Sequence, residues 1–400
     1  MIHKGLFILL VTLGAVLGSH WLFYFSAVQF FGIDNLFVQT VLLWTFVLLG
    51  LGFPLAMMFV WLHFNLLTRG LYFITAFWLG FAINLLMATA VAWGILGLVH
   101  LLGASAPMGI VYGLLCGATL TVSAYGFANA MRVKTTRFRI ELKNLPVEWG
   151  GKMVVHLSDL HLGPIHRVGF LNQVARKVEA LEPELVLITG DLFDGVCTDP
   201  TPFITPLDGL KAKKGVFFVT GNHEGYLGLE RPLEALRKTG IRILDDELVT
   251  VDGLQLVGVS YPEYRNKTSC STLLDREGGY EPKKPAILLH HTPTNIDLTF
   301  GDLSTQQVNT YLSPDTDFSF QREHGIDLQL SGHTHAGQIF PFGLLTKRLF
   351  NGFDAGLRQV GSFSIITSCG TGTWGPPMRT AGECEIVAIT LAGREPSPRN

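Results

Sequence analysis

The chain has 400 residues, of which 48% are hydrophobic, and a formal net charge of −2. With a charge so close to neutral and no basic run, nucleic-acid binding has no support. The five cysteines include no C-x-x-C pair. They predict neither a disulfide framework nor a thiolate metal cluster, and they are consistent with a reducing compartment.

Charged residues are almost missing from the first third of the chain. Of the 30 Lys and Arg and the 32 Asp and Glu residues, only Lys4, Asp34 and Arg69 precede Arg132. Soluble helices carry a charged face, and this region has none. It contains four apolar stretches longer than the roughly 20 residues that a helix needs to cross a bilayer, at residues 5–31, 36–65, 71–102 and 108–131. The sequence therefore predicts a multi-pass membrane protein with an all-α domain of four transmembrane helices over residues 1–131.

The few positive residues predict the orientation of these helices. Lys4 flanks the first stretch, Arg69 separates the second from the third, and Arg132 opens a basic group after the fourth. Because positive residues stay on the cytoplasmic side, both termini and the following domain are expected in the cytoplasm. Alternatively, the first stretch is a cleaved signal peptide, which would leave three spans and place the following domain outside.

Residues 132–400 predict a second domain. The apolar strands KMVVHLS, ELVLITG, GVFFVTG, AILLH and IDLQLSG are each closed by polar or glycine-containing residues, and helix-like segments such as GFLNQVARKVEALEP separate some of them. This alternation is typical of an α/β domain. Asp252-Gly253 lies between two alternating runs and predicts a β-hairpin. We therefore expect mixed β-sheets layered with helices.

Each of the five strands is followed by side chains that can bind a metal ion. They are Asp159 and His161, then Asp191, then Asn222, His223 and Glu224, then His290 and His291, then His333 and His335. Singly, such motifs are more often helix caps, turns or core histidines. Because α/β sheets place ligands at the carboxyl ends of strands, we expect these side chains to meet at a single sheet edge.

The composition of this set predicts the kind of metal site. His333 and His335 would point to opposite faces of an extended strand, so they serve one site only in a tight loop, which Gly332 and Gly337 permit. Two carboxylates, an amide and several imidazoles without a thiolate suit Mn, Fe or Zn. The ligands outnumber the needs of one tetrahedral ion, so we expect two divalent metal ions that share the carboxylate of Asp191.

The order of these motifs resembles the calcineurin-like metallophosphoesterase superfamily. The matching motifs D-x-H, G-D, G-N-H-E, H-x-P and G-H-x-H contain, in order, Asp159, Asp191, Asn222, His291 and His333. SDLHLG, SGHTHAGQ and GTGTWGPPMR resemble its membrane-anchored branch, the transmembrane proteins with a metallophosphoesterase domain. The resemblance covers residues 135–390. It departs from the family at Glu224, usually aspartate, at Ala336, usually glycine, and in the long stretch 294–325.

The resemblance implies a role for each matching residue. Asp159, His161 and His335 would hold the first metal, and Asn222, His291 and His333 the second. Asp191 would bridge the two ions, and His223 would be the acid, oriented by a carboxylate such as Glu224 or Asp159. His291 is preferred to His290 because Pro293 follows it at the family's spacing, although strand alternation leaves His290 open.

These roles imply hydrolysis of a phosphodiester or pyrophosphate by metal-activated hydroxide. Residues 338–357 form either an interfacial lip beside the site or a packed β-loop, since they combine Lys347 and Arg348 with Leu344, Leu345, Leu349, Phe350 and Phe353. A lip on a membrane-tethered domain favours a lipid-linked substrate, and the partners expected are therefore the lipid bilayer and a phosphoester.

Two other interpretations remain open. The four helices could form a transporter or sensor whose soluble domain is a regulatory metal-binding module. Against this, the spans contain no polar pair or charge apart from the histidines His20, His63 and His100, which we expect near helix ends or in helix packing. An anchored nucleotide phosphodiesterase would use the same metal site and differ only in its pocket.

Overall fold

The computed structural model describes residues 2–261, 273–274, 279–296 and 313–394, with side chains from residue 10 onward. The long stretch noted above at 294–325 lies partly outside this range. Four long helices come first: α1 (Ile2–Phe31), α2 (Leu36–Leu62), α3 (Leu66–Leu101) and α4 (Met108–Ala130). Each is long and apolar enough to cross a membrane, with the span in α1 counted from Leu10. The prediction of four apolar helices in a membrane protein is confirmed.

Hydrogen bonds between helices add to the apolar packing of the helical unit. The indole of Trp78 on α3 donates to His20 Nε2 on α1 over 2.9 Å, and Trp93 donates to Ser26 Oγ over 2.8 Å. Polar groups inside a bilayer need such internal partners, because lipid offers none. His63 follows the last residue of α2, and His100 lies in the last turn of α3. The three histidines thus lie in helix packing or at helix ends, as expected.

Strands and short helices alternate in the rest of the described chain. The strands are β1 (Val133–Leu142), β2 (Met153–Leu157), β3 (Leu185–Thr189), β4 (Val216–Val219), β5 (Ile241–Ile243), β6 (Glu247–Val251), β7 (Leu254–Val259), β8 (Ala286–His290), β9 (Leu328–Ser331), β10 (Gly356–Val360), β11 (Phe363–Thr367) and β12 (Cys384–Gly393). The helices are α5 (Val168–Glu179), α6 (Ile204–Asp208), α7 (Asn222–Tyr226), α8 (Glu230–Leu236), α9 (Ser319–Glu323) and α10 (Phe342–Leu349).

The strands form two six-stranded mixed sheets. The first has the order β1-β12-β2-β3-β4-β5 and the second β10-β11-β9-β8-β7-β6. In the first, β2 to β5 are parallel, and in the second β7, β8, β9 and β11 are parallel. The antiparallel pair β6–β7 is the predicted hairpin at Asp252-Gly253. The mixed α/β class is confirmed.

The two sheets pack face to face, with helices on their outer faces. The core between them contains Val154, Leu187 and Phe217 of the first sheet with Leu256 and Leu289 of the second. A second cluster joins the first sheet to α5, α6 and α8, and a third joins the second sheet to α9. Strands buried on both faces are mostly apolar, which explains why β3 reads LVLIT with every residue buried.

The strands that precede the candidate metal ligands belong to both sheets. Asp159 and Asp191 lie in the loops after β2 and β3, and Asn222 begins α7 after β4; these strands belong to the first sheet. The loops after β8 and β9 carry His291 and His333, and these strands belong to the second. The expectation of a single sheet edge is therefore wrong, because the carboxyl ends of two sheets supply the residues together.

Candidate metal centre

An unusual backbone conformation marks the loops of the candidate centre. Five of its residues adopt positive φ angles between 47° and 72°, a region that non-glycine residues rarely occupy: Asp159, His161, Asp191, His333 and His335. Such conformations cost on the order of 1–3 kcal/mol each and cluster at functional sites. The tight loop expected around His333 and His335 is thus present. Ala336 is also left-handed, with φ 49°, which accounts for the glycine usual in the family.

Glycines let these loops touch one another through their backbones. A Cβ atom at Gly190 would lie 2.5 Å from Gly221 N and 2.8 Å from His291 Nδ1. A Cβ at Gly332 would overlap Ser158 Oγ and a carboxylate oxygen of Asp159. Any side chain at these positions would force the loops apart, so the ends of the two sheets stay together only with glycine there.

Asp159, His161 and His335 form the first of two groups. His161 Nε2 and His335 Nε2 lie 3.0 Å apart, and His335 Nε2 lies 3.3 Å from Asp159 Oδ1. All three residues are at most 8% exposed. The Asp159 carboxylate is oriented by the backbone N–H of His333, which donates to both oxygens over 3.1 Å. Three ligand atoms therefore converge on one buried point.

Asn222, His291 and His333 form the second group. Asn222 Oδ1 lies 3.2 Å from His291 Nε2 and 3.0 Å from His333 Nδ1. The other ring nitrogen of His291 lies 2.6 Å from the backbone oxygen of Thr189, which fixes the ring orientation. An amide oxygen and two imidazole nitrogens thus face one another in a buried space.

Asp191 lies between the two groups. Its Oδ2 is 3.3 Å from His291 Nε2 and 3.9 Å from His161 Nε2. Its Oδ1 accepts the backbone N–H of His223 over 2.8 Å. One carboxylate oxygen therefore faces both groups, while the other anchors the side chain.

Burial and neighbouring charges shift the pKa values of several residues in the cluster, and they give His161, His333 and Asp191 the protonation states of metal ligands. Burial lowers the pKa of His161 and of His333 well below the usual value, so both rings are neutral and keep a lone pair. Burial alone would raise the pKa of Asp191, but the neighbouring histidines, His291 first, hold it well below its usual value. Burial opposes protonation of His291, yet the Asp191 carboxylate raises its pKa to about 9.

The donor set fits divalent transition-metal ions. Ligand bonds to such ions are about 2.0–2.2 Å long, so atoms that share an ion lie about 3–4 Å apart, as the nitrogens and oxygens do here. In each of three overlapping groups the ligand atoms lie within 4.8 Å of one another: Asp159, His161 and His335; His161, Asp191 and His223; Asp159, Asp191 and His291. Imidazoles with carboxylates suit Mn, Fe or Zn.

His223 lies beside this cluster, but neither expected carboxylate orients it. Its Nδ1 accepts the backbone N–H of Gly195 over 3.0 Å, and its Nε2 lies 4.0 Å from Asp191 Oδ2. The Glu224 carboxylate instead accepts the backbone N–H groups of Gly221, Asp191, Leu192 and Phe193. The suggestion that Glu224 or Asp159 orients His223 is therefore wrong, because backbone donors occupy both carboxylates.

The structure separates the two adjacent histidines after β8. His290 Nε2 lies 2.8 Å from Thr292 Oγ1, and its Nδ1 lies 3.4 Å from the backbone oxygen of Val259. None of the groups of possible metal ligands found in the described chain includes His290. His291 Nε2 lies 3.2 Å from Asn222 Oδ1 and 3.3 Å from Asp191 Oδ2.

Sequence reasoning missed several neighbours of His223. One of them is Asp194, whose carboxyl group is buried, and this burial raises its pKa. The rings of Tyr226 and Trp374 lie 4.9 and 6.0 Å from the His223 ring, and both side chains are more than half exposed. The pattern G-D-L-F-D-G around Asp194 and the tryptophan in GTGTWGPPMR were the available signals.

The structure changes one of the two forms expected for residues 338–357. They contain helix α10 and strand β10 and so are not simply a packed β-loop. Phe350 is buried and cannot belong to an exposed lip, whereas Leu344 and Leu345 are exposed. The exposed large apolar side chains of this stretch are Phe340 and, on α10, Phe342, Leu344 and Leu345.

Comparison with known proteins identifies the family. The family model for calcineurin-like phosphoesterases matches residues 152–337. An uncharacterized metallophosphoesterase of Aquifex aeolicus is 32% identical over 68% of this chain and 97% of its own length. A Danio rerio protein named as a transmembrane protein with metallophosphoesterase domain is 32% identical over 68% of this chain. A solved dimetal phosphatase from Danio rerio aligns over 60% of this chain and 99% of that chain at 13% identity, with a TM-score of 0.35, which is too distant to support any role.

Some relatives are matched only in part. A metallophosphoesterase of Helicobacter pylori strain J99 is 35% identical over 60% of this chain, and the match spans 59% of that protein. The match to the Danio rerio transmembrane relative covers 61% of the length of that protein. The Aquifex relative is spanned almost completely, and the resemblance seen in the motifs is confirmed. The chain belongs to the calcineurin-like metallophosphoesterase family.

Proposed function

We propose that the protein is a membrane-anchored phosphohydrolase that uses two divalent metal ions, with Mn, Fe or Zn as the expected elements. The supporting observation is the position of Asp191, whose Oδ2 faces His291 of one ligand group and His161 of the other. A cation pair about 3.5–4 Å apart needs an anionic bridge of this kind. The transmembrane domain would be residues 1–131 and the catalytic domain residues 132–400.

In this proposal Asp159, His161 and His335 hold the first ion, and Asn222, His291 and His333 hold the second. Two such ions, when bound, would lower the pKa of a water molecule and offset the negative charge that builds on the phosphoryl oxygens. Glu224 keeps the Asp191 loop against α7 through its four backbone hydrogen bonds. The strained backbone of the ligand loops supports the assignment, since positive φ angles persist only where function or packing demands them.

The direct test is hydrolysis of a generic aryl phosphodiester by the purified full-length protein. Turnover should stop when a chelator removes the metal and return when Mn²⁺ is added. Mn²⁺-dependent hydrolysis of a phosphodiester or a pyrophosphate would support the proposal. If the Mn²⁺-loaded protein hydrolysed neither, the proposal would be refuted.

His223 is the proposed proton donor for the leaving group. Because its Nδ1 accepts the Gly195 N–H, the ring proton lies on Nε2, the nitrogen on the side of Asp191. A leaving alkoxide is a strong base and needs a proton as the bond to phosphorus breaks. Proton donation of this kind typically contributes about 10² to 10⁴ in rate.

Replacing His223 by alanine should therefore slow turnover while the metal content stays unchanged. We expect kcat to fall by about 10²-fold for a poorly leaving alkyl alcohol and by much less for a good leaving group such as nitrophenol. His290→Ala is the matched control, since this histidine is also buried and its Nε2 lies 2.8 Å from Thr292 Oγ1. An equal loss for all leaving groups would show that His223 is not the acid.

A lipid-linked phosphoester is the proposed substrate class. The exposed large apolar side chains of the described catalytic domain include Tyr226 and Trp374, which contact the His223 ring, together with Leu344 and Leu345 of α10. Lys347 and Arg348 follow on the same helix and complement an anionic headgroup. A panel of lipid pyrophosphates, phospholipids and cyclic nucleotides should show preference for the lipids, whereas preference for cyclic nucleotides would favour an anchored nucleotide phosphodiesterase.

The catalytic domain is proposed to face the cytoplasm. The support is the positive group that begins at Arg132, directly after α4 ends at Ala130. Protease added to intact cells should leave the catalytic domain uncut, and protease added after lysis should degrade it. Cleavage in intact cells would place the domain outside.

A further inference from the structure

One short segment of the C-terminal half of the chain packs in the helical unit. Residues Gly375–Thr380, which we call the tongue, group with residues 1–128 and not with the catalytic domain. Asn84 Nδ2 on α3 donates to Met378 Sδ over 3.3 Å, and the backbone N–H of Arg379 donates to Gly126 O on α4 over 2.9 Å. Met378 is completely buried there.

Two glycines make room for the tongue. A Cβ atom at Gly80 on α3 would lie 3.0 Å from Pro376 and 3.2 Å from Met378, and one at Gly126 on α4 would lie 2.7 Å from Met378 Cγ. A Cβ atom on Gly94 of α3 or on Gly117 of α4 would have nothing within 4 Å. The close approach is therefore local to Gly80 and Gly126, and a side chain at Gly126 would push the tongue away.

The two residues that flank the tongue, Trp374 and Ala381, are both held by Gln338. Its side chain accepts the N–H of Trp374 over 3.0 Å and donates to the oxygen of Trp374 over 2.9 Å. Its backbone oxygen accepts the N–H of Ala381 over 3.0 Å. Gln338 follows His335 by three residues and, with φ 53°, belongs to the same strained loop. The residues on either side of the tongue are thus fixed to the loop that carries His333 and His335.

The residues that precede the tongue contact the candidate metal centre directly. The backbone N–H of Thr371 donates to Ser158 O over 2.7 Å, and that of Gly372 donates to Asp159 O over 2.8 Å. The N–H of Thr373 donates to His166 Nε2 over 2.9 Å. Trp374 then places its ring beside His223. Four successive backbone N–H groups, at residues 371–374, are therefore fixed to loops of the site.

We propose that the transmembrane helices position the catalytic site through the tongue. Helices α3 and α4 hold Met378, and Gln338 joins the two residues that flank the tongue to the loop of His333 and His335. Met378 and Gln338 are positioning residues in this proposal, and the four helices are a working part of the enzyme as well as an anchor. The effect on catalysis rests on the proposed phosphohydrolase function, whereas the structural coupling does not.

The test compares two glycine-to-leucine variants of the same helix, Gly126→Leu and Gly117→Leu, in the full-length protein in lipid nanodiscs. Both remove a helix glycine, so both gain helix propensity, but only the first displaces the tongue. Hydrogen–deuterium exchange at residues 371–374 should become at least about 10-fold faster in Gly126→Leu and stay at the wild-type rate in Gly117→Leu. Equal exchange rates in the two variants would overturn the proposal.

Hydrolysis of a soluble aryl phosphodiester gives the second readout. At unchanged metal content and KM, kcat should fall about 10-fold or more in Gly126→Leu, because small misplacements of reacting groups are costly. Met378→Ala should also speed exchange at residues 371–374 and lower kcat. In Met378→Leu both quantities should stay close to the wild-type values. If the wild-type protein had no hydrolytic activity but exchange was still faster in Gly126→Leu than in Gly117→Leu, the coupling would stand and only the proposed function would be refuted. If both glycine variants showed equal metal-dependent hydrolysis, the proposed function would stand and the effect of the tongue on catalysis would be refuted.

Discussion

Replacement of Asp191 by asparagine is expected to abolish metal loading and to lower kcat/KM by about 10³-fold or more. The metal ions would supply several kcal/mol of transition-state stabilisation, and each 1.4 kcal/mol or so is a factor of ten. Asparagine keeps an oxygen that can accept the His223 N–H, so the loop should retain its shape. What it loses is the negative charge that faces His161 and His291. Bound metal per chain, measured after equilibration with Mn²⁺, checks the result.

Asp327→Asn is the matched control for this variant. Asp327 is also a buried aspartate of the catalytic domain that accepts backbone N–H groups, from Lys143 and Ala286, but it is in none of the ligand groups found in the described chain. Its replacement should lower the melting temperature and leave the bound metal unchanged. An Asp191→Asn protein that binds as much Mn²⁺ as this control would refute the bridging role.

Replacement of Gly221 by alanine is expected to have the second-largest effect. A Cβ atom at this position would overlap Asp191 Oδ1 and lie 2.6 Å from Asp191 N. Overpacking of this kind costs about 1–3 kcal/mol of stability, and a shift of about 1 Å in catalytic groups can cost 10²-fold in rate. We expect weaker Mn²⁺ binding and a kcat lowered by about 10²-fold. The φ of Gly221 is −107°, so backbone strain does not contribute and the effect comes from space alone.

Gly169→Ala serves as the control for Gly221→Ala. Gly169 lies in α5 of the same domain, and a Cβ atom there would meet nothing within 4 Å. This variant should keep wild-type metal content and turnover, and the better helix propensity of alanine should raise its melting temperature slightly. If Gly221→Ala matched Gly169→Ala in metal binding and turnover, the close contact between the two ligand loops would have no functional weight.

Local patterns in the sequence predicted the parts of the site that depend on strand ends. Asp159, Asp191 and His291 each follow an apolar strand, and the rule that ligands gather at the carboxyl ends of strands was enough to bring them together. The need for a tight loop at His333 and His335 followed from their spacing alone, and the structure contains that loop.

Other features depend on contacts that no local pattern encodes. That two sheets supply the ligands follows from how the chain pairs β8 with β9 and β2 with β3, which strand patterns do not specify. Glu224 was assigned to His223 because the two are adjacent in sequence, yet its carboxylate reaches backbone donors some thirty residues away in the Asp191 loop. Met378 lies far along the chain from Gly80 and Gly126, so nothing near it indicated that it packs against transmembrane helices.

The central claim is that the converging side chains hold two metal ions that are needed for hydrolysis. Titration of the metal-stripped full-length protein with Mn²⁺, with bound metal and aryl phosphodiester turnover measured in the same samples, tests it most directly. We predict no turnover before Mn²⁺ is added and full turnover when two ions are bound per chain. Full turnover in the stripped protein would contradict the claim.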